Sequence, residues 1–343
     1  MKSVGILGLP QAGKSTLFDI LMQGEGRVGH GDQVGVVRVP DERVDRLSSM
    51  YQPRKTTHAQ LRFVENSAPL GASARAAAKK ADLFTGVRNC DALLVVVRAF
   101  AAAGAKAQPL ADWNDVEAEL VFNDLAILEG RAERLEKERR VGKKEGEREL
   151  QLLARCREVL EAGRPLRSAS FDAEELKTLR GFQLLSLKPC LVVWNRGEEE
   201  PPAPRDPGPG ALATMLMALN EREIVRLPPS ERAAFRAELG VAEDGLSLII
   251  RKSYELLGLI SFFTVGPDEV RAWTVQRGDT SVDAAGEIHT DLARGFIRAE
   301  VIAYDKLIEA GSHAHARERG WLRLEGRDYR VADGDVIEIR FSR

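Results

Sequence analysis

Hydrophobic and polar positions follow three different periods along this chain, each confined to its own stretch. Val4, Ile6 and Leu7 form a short apolar run that reads as a strand. A glycine-bounded turn follows, and then a helical run, Thr16-Leu17-Phe18-Asp19-Ile20-Leu21-Met22. Val34 to Pro40 predicts a strand, Asp41 to Leu47 a helix with an acidic first turn, and Ala59 to Val64 an alternating strand. Asp91 to Arg98 and Lys188 to Asn195 are almost unbroken apolar runs, the pattern of strands buried on both faces of a parallel sheet.

Between those two runs the period lengthens. Val116, Leu120, Leu125, Leu128 and Leu135 recur at helical spacing among Glu, Arg and Lys. A polar turn at Gly142 to Gly146 precedes a second helical set, Leu150, Leu153, Val159 and Leu160. The pattern predicts an antiparallel helical hairpin. Its basic tip (Arg139, Arg140, Lys143 and Lys144) reads as a solvated turn or as an RNA contact; charge runs are ordinarily solvated. From Ile260 the period shortens again. Strands are predicted at Ser261 to Val265, Glu269 to Val275, Ala299 to Tyr304 and Val336 to Phe341, with one helix from Ser281 to Leu292. That order fits a compact β-grasp domain.

The fold class expected is therefore α/β: a mostly parallel sheet interrupted by a helical hairpin and followed by a β-grasp domain. The boundaries read as 1–112 with 188–260 for the discontinuous sheet domain, 113–187 for the hairpin and 261–343 for the last domain.

Composition narrows the setting. The chain has 343 residues, 44% hydrophobic and 30% charged, which is ordinary for a globular protein and enough for two or three cores. No apolar run approaches the ~18 residues that a membrane span needs, so no membrane partner is expected. Met1-Lys2 runs directly into the first strand, leaving no room for a signal peptide. Cys90, Cys156 and Cys190 are odd in number and far apart, which argues against a disulfide framework or zinc site and fits a reducing cytoplasm. The net charge of -2 gives no global attraction to nucleic acid.

The candidate chemistry sits in the first turn. Gly8-Leu9-Pro10-Gln11-Ala12-Gly13-Lys14-Ser15 matches G-x-x-x-x-G-K-[ST], the phosphate-binding loop, in the strand–turn–helix context that the motif requires. The two glycines let successive N–H groups turn inward on an anion. Lys14 brings a compact charge to the outer phosphates, Ser15 a hydroxyl to Mg²⁺, and the helix beginning near Thr16 the positive end of its dipole. A mostly parallel sheet carrying this loop is a P-loop NTPase G domain.

The remaining motifs of such a domain depart from pattern. No Thr or Ser occurs between Met22 and Leu47, where the glycine-rich stretch Gly24 to Asp32 should supply the first switch. Where switch proteins carry Asp-x-x-Gly, this chain has Glu65-Asn66-Ser67-Ala68, followed by Pro69. Glu65 remains a candidate metal ligand with a longer arm. Ala68 keeps the amide but loses the glycine's freedom. Asn195-Arg196-Gly197-Glu198 ends an apolar strand where a base-reading motif belongs, without the Asp that accepts from guanine.

With these residues in view, the chain resembles the Obg-like ATPase (YchF) family nearly end to end. The likeness is strongest in Ile288 to Asp291, Gly295 to Val301, Leu324 to Tyr329 and Tyr254 to Thr264. The resemblance implies a G domain interrupted by a coiled-coil hairpin and followed by a TGS domain. It also implies an ATP-preferring base motif, Asn-x-x-Glu, matched by Asn195 and Glu198, and links to the ribosome, translation and stress. The family's histidine in the loop after the Arg98 strand is missing, since Ala99 to Ala111 contains none.

The expected ligands are thus ATP or GTP with Mg²⁺. Gly8 to Thr16, Asn195, Arg196 and Glu198 would hold the nucleotide, and Ser15 and Glu65 the metal; no catalytic residue is assigned, and hydrolysis is expected to be slow or lost. The alternative is a ribosome- or RNA-binding module whose G domain is mainly a scaffold. A third reading, GTP specificity, is weakened by the missing guanine-reading Asp. Two side features read blandly. His313 and His315 fit exposed helix positions better than a metal site, because no third ligand is evident. Trp194 fits core packing better than base stacking.

Overall fold

The computed structural model describes residues 1–342 except 23–26, 29–32, 72–82, 102–105, 142–145, 199–205 and 240–243. Most of the predicted first switch, and Lys143 and Lys144 of the hairpin tip, lie outside the described residues. The chain divides into two compact units: Met1–Val37 with Arg62–Ile249, and Arg38–Leu61 with Ile250–Arg343.

The first unit is built on a seven-stranded sheet. Its strands are β1 (Ser3–Leu7), β2 (Arg27–Val28), β3 (Gln33–Arg38), β5 (Gln60–Glu65), β6 (Ala92–Ala99), β7 (Cys190–Arg196) and β8 (Ala211–Leu216), in the order β2-β3-β5-β1-β6-β7-β8. The run from β5 through β8 is parallel. β1 is buried throughout, and β6 and β7 are buried except near their carboxyl ends, as their unbroken apolar runs require. Strand β8 escaped the sequence pattern: it is an edge strand, with Leu212 and Met215 exposed.

Helix α1 (Lys14–Leu21) follows β1, and its buried face is Leu17, Phe18, Ile20 and Leu21. The predicted hairpin forms from the 32-residue α3 (Pro109–Arg140) and α4 (Glu147–Glu161). Its inner seam packs Val121, Leu128 and Leu135 with Leu152, Leu153, Cys156, Val159 and Leu160. The first turns of α3 behave differently. Trp113, Val116 and Leu120 join Val95, Val97, Val192 and Trp194 in the sheet's core. One helix thus serves two cores, and the hairpin begins to stand apart only after Leu120. Trp194, 1% exposed, is a core residue as its strand position suggested.

The second unit has a six-stranded sheet: β4 (Lys55–Thr57), β9 (Leu259–Thr264), β10 (Glu269–Gln276), β11 (Phe296–Ala303), β12 (Arg323–Glu325) and β13 (Asp335–Phe341), in the order β12-β11-β13-β9-β10-β4. Helix α9 (Ser281–Ile288) packs Ala284 and Ala285 against Ile260, Phe262, Val301 and Ile337. Two features depart from the sequence reading. Residues 38–61 cluster here because the short polar strand β4 pairs with β10, and Thr57 donates to Glu269 at 2.6 Å. The helix expected to run from Ser281 to Leu292 breaks at His289, whose backbone is extended and whose Nδ1 caps Asp291 N at 3.2 Å, starting a separate α10 (Thr290–Arg294).

Candidate functional site

The site is assembled at the carboxyl ends of β1, β5, β6 and β7, the edge of a parallel sheet where α/β folds bind ligands. The chain leaves buried β1 through Gly8 (φ 154°) and enters α1 through Gly13 (φ 99°). A Cβ on Gly8 would lie 2.3 Å from Val96 O, and one on Gly13 would lie 2.3 Å from Asn195 Nδ2. Both spacings leave room only for hydrogen. Between them, Ala12 N donates to Leu9 O at 3.3 Å, Gln11 holds a positive φ of 62°, and Pro10 is exposed. The helix opens at Lys14, two residues before the sequence reading put it, with Gly13 as its left-handed cap.

The side chains on this loop are already drawn together. Lys14 Nζ donates to Gly8 O at 2.9 Å and Leu9 O at 3.1 Å, folded back over the loop. Burial lowers its pKa below that of an ordinary lysine, against the opposing charge of Glu65. Ser15 Oγ donates to Glu65 Oε1 at 2.6 Å. Glu65 is only 4% exposed, and its Oε2 is buried with no hydrogen-bond partner among the described residues. An orphaned carboxylate oxygen beside a serine hydroxyl is a hard-oxygen donor set, suited to a small divalent cation that keeps most of its waters. Ser15 and Glu65 therefore fit Mg²⁺.

The segment after Glu65 is tied down. Asn66 N donates to Ile6 O at 3.0 Å, and its side chain donates to Ala68 O and Leu83 O. Ala68 and Pro69 follow on this anchor.

Opposite the loop, Asn195 is buried and bonded through both ends of its amide. Its Nδ2 donates to Ala12 O at 3.0 Å, and its Oδ1 accepts from Ala218 N at 3.1 Å, the first residue of α6 (Ala218–Arg226). One Nδ2 hydrogen is left for a ligand. Asn195 thus braces the phosphate loop, a role that its place in a base-reading motif does not announce. Arg196 turns its guanidinium onto Gly197 O and Glu198 O. Glu198 is exposed and accepts from Asn220.

A cavity of about 950 Å³ joins these groups, running from Gly13, Lys14, Ser15 and Thr16 to Asn195 and Glu198. Phe100, Leu219, Phe235 and Leu239 supply apolar wall. Its cationic floor, amide corner and apolar wall suit an anionic ligand that carries a flat ring. The wall residues and Asn220 carry no motif and were invisible in the sequence; they come from β6's end, from α6 and from α7 (Pro229–Glu238).

The histidine pair in the other unit needs a correction. His313, at the start of α12 (His313–Glu318), lies with Glu300 and Glu338 so that their ligand atoms fall within 4.8 Å of one another. His313 therefore has two carboxylates beside it, making three groups in all. Arg317 and Arg340 already pair with Glu300 at 2.6 and 3.2 Å, and Arg340 also pairs with Glu338. Two guanidinium charges in the cluster leave it an ion-pair network. His315 takes no part and turns toward Ala310 O.

A family model for the carboxyl-terminal region of YchF-type GTPases, described as a protein of unknown function, matches residues 259–342. Over 99% of both chains, this one is 35% identical to the ribosome-binding ATPase YchF of Bacillus subtilis. It is 36% identical to that of Haemophilus influenzae and 34% to that of Escherichia coli O157:H7, each over 98% of both chains. The Schizosaccharomyces pombe YchF GTPase shares its fold, with a TM-score of 0.83 and 24% identity over 99% of this chain and 97% of that one. Among the described residues, no helix is long and apolar enough to cross a membrane.

Proposed function

The chain belongs to the YchF family, and from that premise we propose that it is an adenine-preferring nucleotide-binding protein with slow turnover that works at the ribosome in the cytoplasm. The observation that carries the nucleotide reading is the cavity lined by Lys14, Ser15 and Asn195, with Ser15 bonded to a Glu65 carboxylate whose Oε2 has no partner among the described residues. Gly8 to Thr16 would wrap the phosphates, and Ser15 with Glu65 would hold Mg²⁺, which neutralises phosphate charge when bound. Asn195, Arg196 and Glu198 would face the base. The ribosome enters through the relatives, which are named for binding it; the exposed hairpin end at Arg139 and Arg140 and the carboxyl-terminal unit are the contacts this reading offers.

Slow turnover follows from what the site has lost. Phosphoryl transfer is catalysed mainly by positioning and charge stabilisation. Ala68 and Pro69 stand where a glycine amide would swing onto the terminal phosphate, and the loop after β6 has no histidine to place water.

Titration with ATP and GTP in Mg²⁺, followed by steady-state turnover, tests this reading. ATP binds more tightly than GTP, and turnover is at least about tenfold below the ~1–10³ s⁻¹ of ordinary enzymes. Failure to bind either nucleotide sinks the proposal, and brisk turnover sinks the eroded-switch part of it.

The buried lysine adds a pH dependence. Phosphate capture needs the ammonium form, and burial lowers the pH at which Lys14 loses its proton. Affinity therefore falls as pH rises through that lowered value, before the ordinary lysine range is reached. Lys14→Arg removes this alkaline loss, because a guanidinium keeps its charge. Kd measured against pH for both proteins checks the sign; parallel profiles contradict it.

A further inference from the structure

In the lining of the cavity, Glu198 Oε1 accepts a hydrogen bond from Asn220 Nδ2 at 2.7 Å. We infer that Asn220 is a specificity-determining positioning residue: it fixes the Glu198 carboxylate so that the two side chains together present one acceptor and one donor to the base, selecting adenine over guanine. The inference rests on the nucleotide-binding reading above.

Asn220 is held from both sides. Ala218 N is bound to Asn195 Oδ1, which attaches the first turn of α6 to the end of β7. Glu221, 3% exposed, accepts from Gly245 N at 3.0 Å and from Arg236 at 3.2 Å, and Arg236 also reaches Asp244 at 3.0 Å. With neighbours on both sides pinned, the Asn220 backbone has little room to shift. Precise placement of this kind is what recognition by a side chain needs.

The amide orientation is dictated by chemistry. An ionised carboxylate only accepts, so Asn220 must turn its NH₂ group toward Glu198. Glu198 Oε2 makes no hydrogen bond among the described residues, and the second N–H of Asn220 makes none either. The pair therefore offers an oxygen acceptor beside an N–H donor. Adenine's edge carries the 6-amino donor beside the N1 acceptor and complements it. Guanine carries two adjacent donors, N1–H and the 2-amino group, and requires two acceptors. Against this pair one guanine N–H would meet the Asn220 N–H, and an unmatched polar group is where discrimination is strongest.

Two variants test the assignment through the ratio of GTP to ATP dissociation constants. Asn220→Ala frees both carboxylate oxygens, and Asn220→Asp keeps the size while replacing the donor with an acceptor. Each lowers the wild-type ratio by about tenfold, the scale of one bidentate base contact, while melting temperature and secondary structure stay those of wild type. A ratio unchanged in both variants, with the wild type still preferring ATP, overturns the role of Asn220 and leaves the nucleotide reading standing. Equal loss of both nucleotides shows a merely structural residue and also overturns it. If the wild type binds neither nucleotide, the nucleotide reading fails and this inference falls with it.

Discussion

Lys14→Ala weakens binding of a Mg²⁺–nucleoside triphosphate by about 100-fold or more and leaves the fold intact. Lys14 Nζ is the one ammonium among the described groups facing the phosphate loop, folded onto Gly8 O and Leu9 O. On binding, those two neutral carbonyls are exchanged for phosphate oxygens, and hydrogen bonds between charged partners are roughly twice as strong. Losing about 3 kcal/mol corresponds to the stated factor. The loop N–H groups and the α1 dipole remain, so weak residual affinity is expected. Stability should change little, because the lost bonds are offset by relief from burying a charge. Isothermal titration against wild type measures the effect; affinity within threefold would show that the loop does not seat a phosphate. The same variant separates the two functional readings. In a ribosome sedimentation assay, lost association favours a nucleotide switch, and unchanged association favours a docking module with its G domain as scaffold.

The second large effect is on stability. Asp124→Ala should destabilise the first unit by roughly 3–5 kcal/mol, the range for stripping a charged partner from a buried network. Asp124 is fully buried in α3, at the point where the helix passes from the sheet core to the hairpin seam. Its Oδ1 accepts from Leu185 N and Asn123 Nδ2, each at 2.9 Å, and its Oδ2 accepts from Ser186 N at 2.7 Å. Those two backbone donors lie just ahead of β7, so one carboxylate fastens the hairpin helix to the chain entering the central strand. Alanine leaves both N–H groups buried and unpaired. Asp124→Asn keeps one acceptor but sets an NH₂ group against a backbone N–H, so it recovers only part of the loss. Urea unfolding followed by far-ultraviolet circular dichroism measures both; an alanine cost below about 1 kcal/mol would show that other contacts carry the junction.

The parts legible in advance were those whose cause is local. The phosphate loop could be read because Gly8 and Gly13 need positive φ and close approach within one turn. The central strands could be read because burial on both faces demands unbroken apolar runs. Elsewhere the local signal was weak or misleading. Strand β4 is three polar residues that become a strand only beside β10. Trp113, Val116 and Leu120 share the helical period of the hairpin and yet belong to the sheet core, because periodicity says which face is buried and not against what. His289 ends a helix that the apolar pattern would have continued.

At the site the same division holds. Sequence alone put Lys14, Ser15 and Glu65 forward as the groups to meet a phosphate and a metal, from spacings tied to a strand–turn–helix and to the end of a neighbouring strand. Only the tertiary structure decided how they are used. It buried Glu65 with one oxygen bound to Ser15 and the other without a partner among the described residues, and it turned Asn195 into a brace between Ala12 and Ala218. It also brought Asn220 to Glu198 across 22 residues of chain. A motif encodes the groups that one turn of backbone can position; contacts between distant segments depend on how the sheet and helices pack, and no spacing along the chain records them.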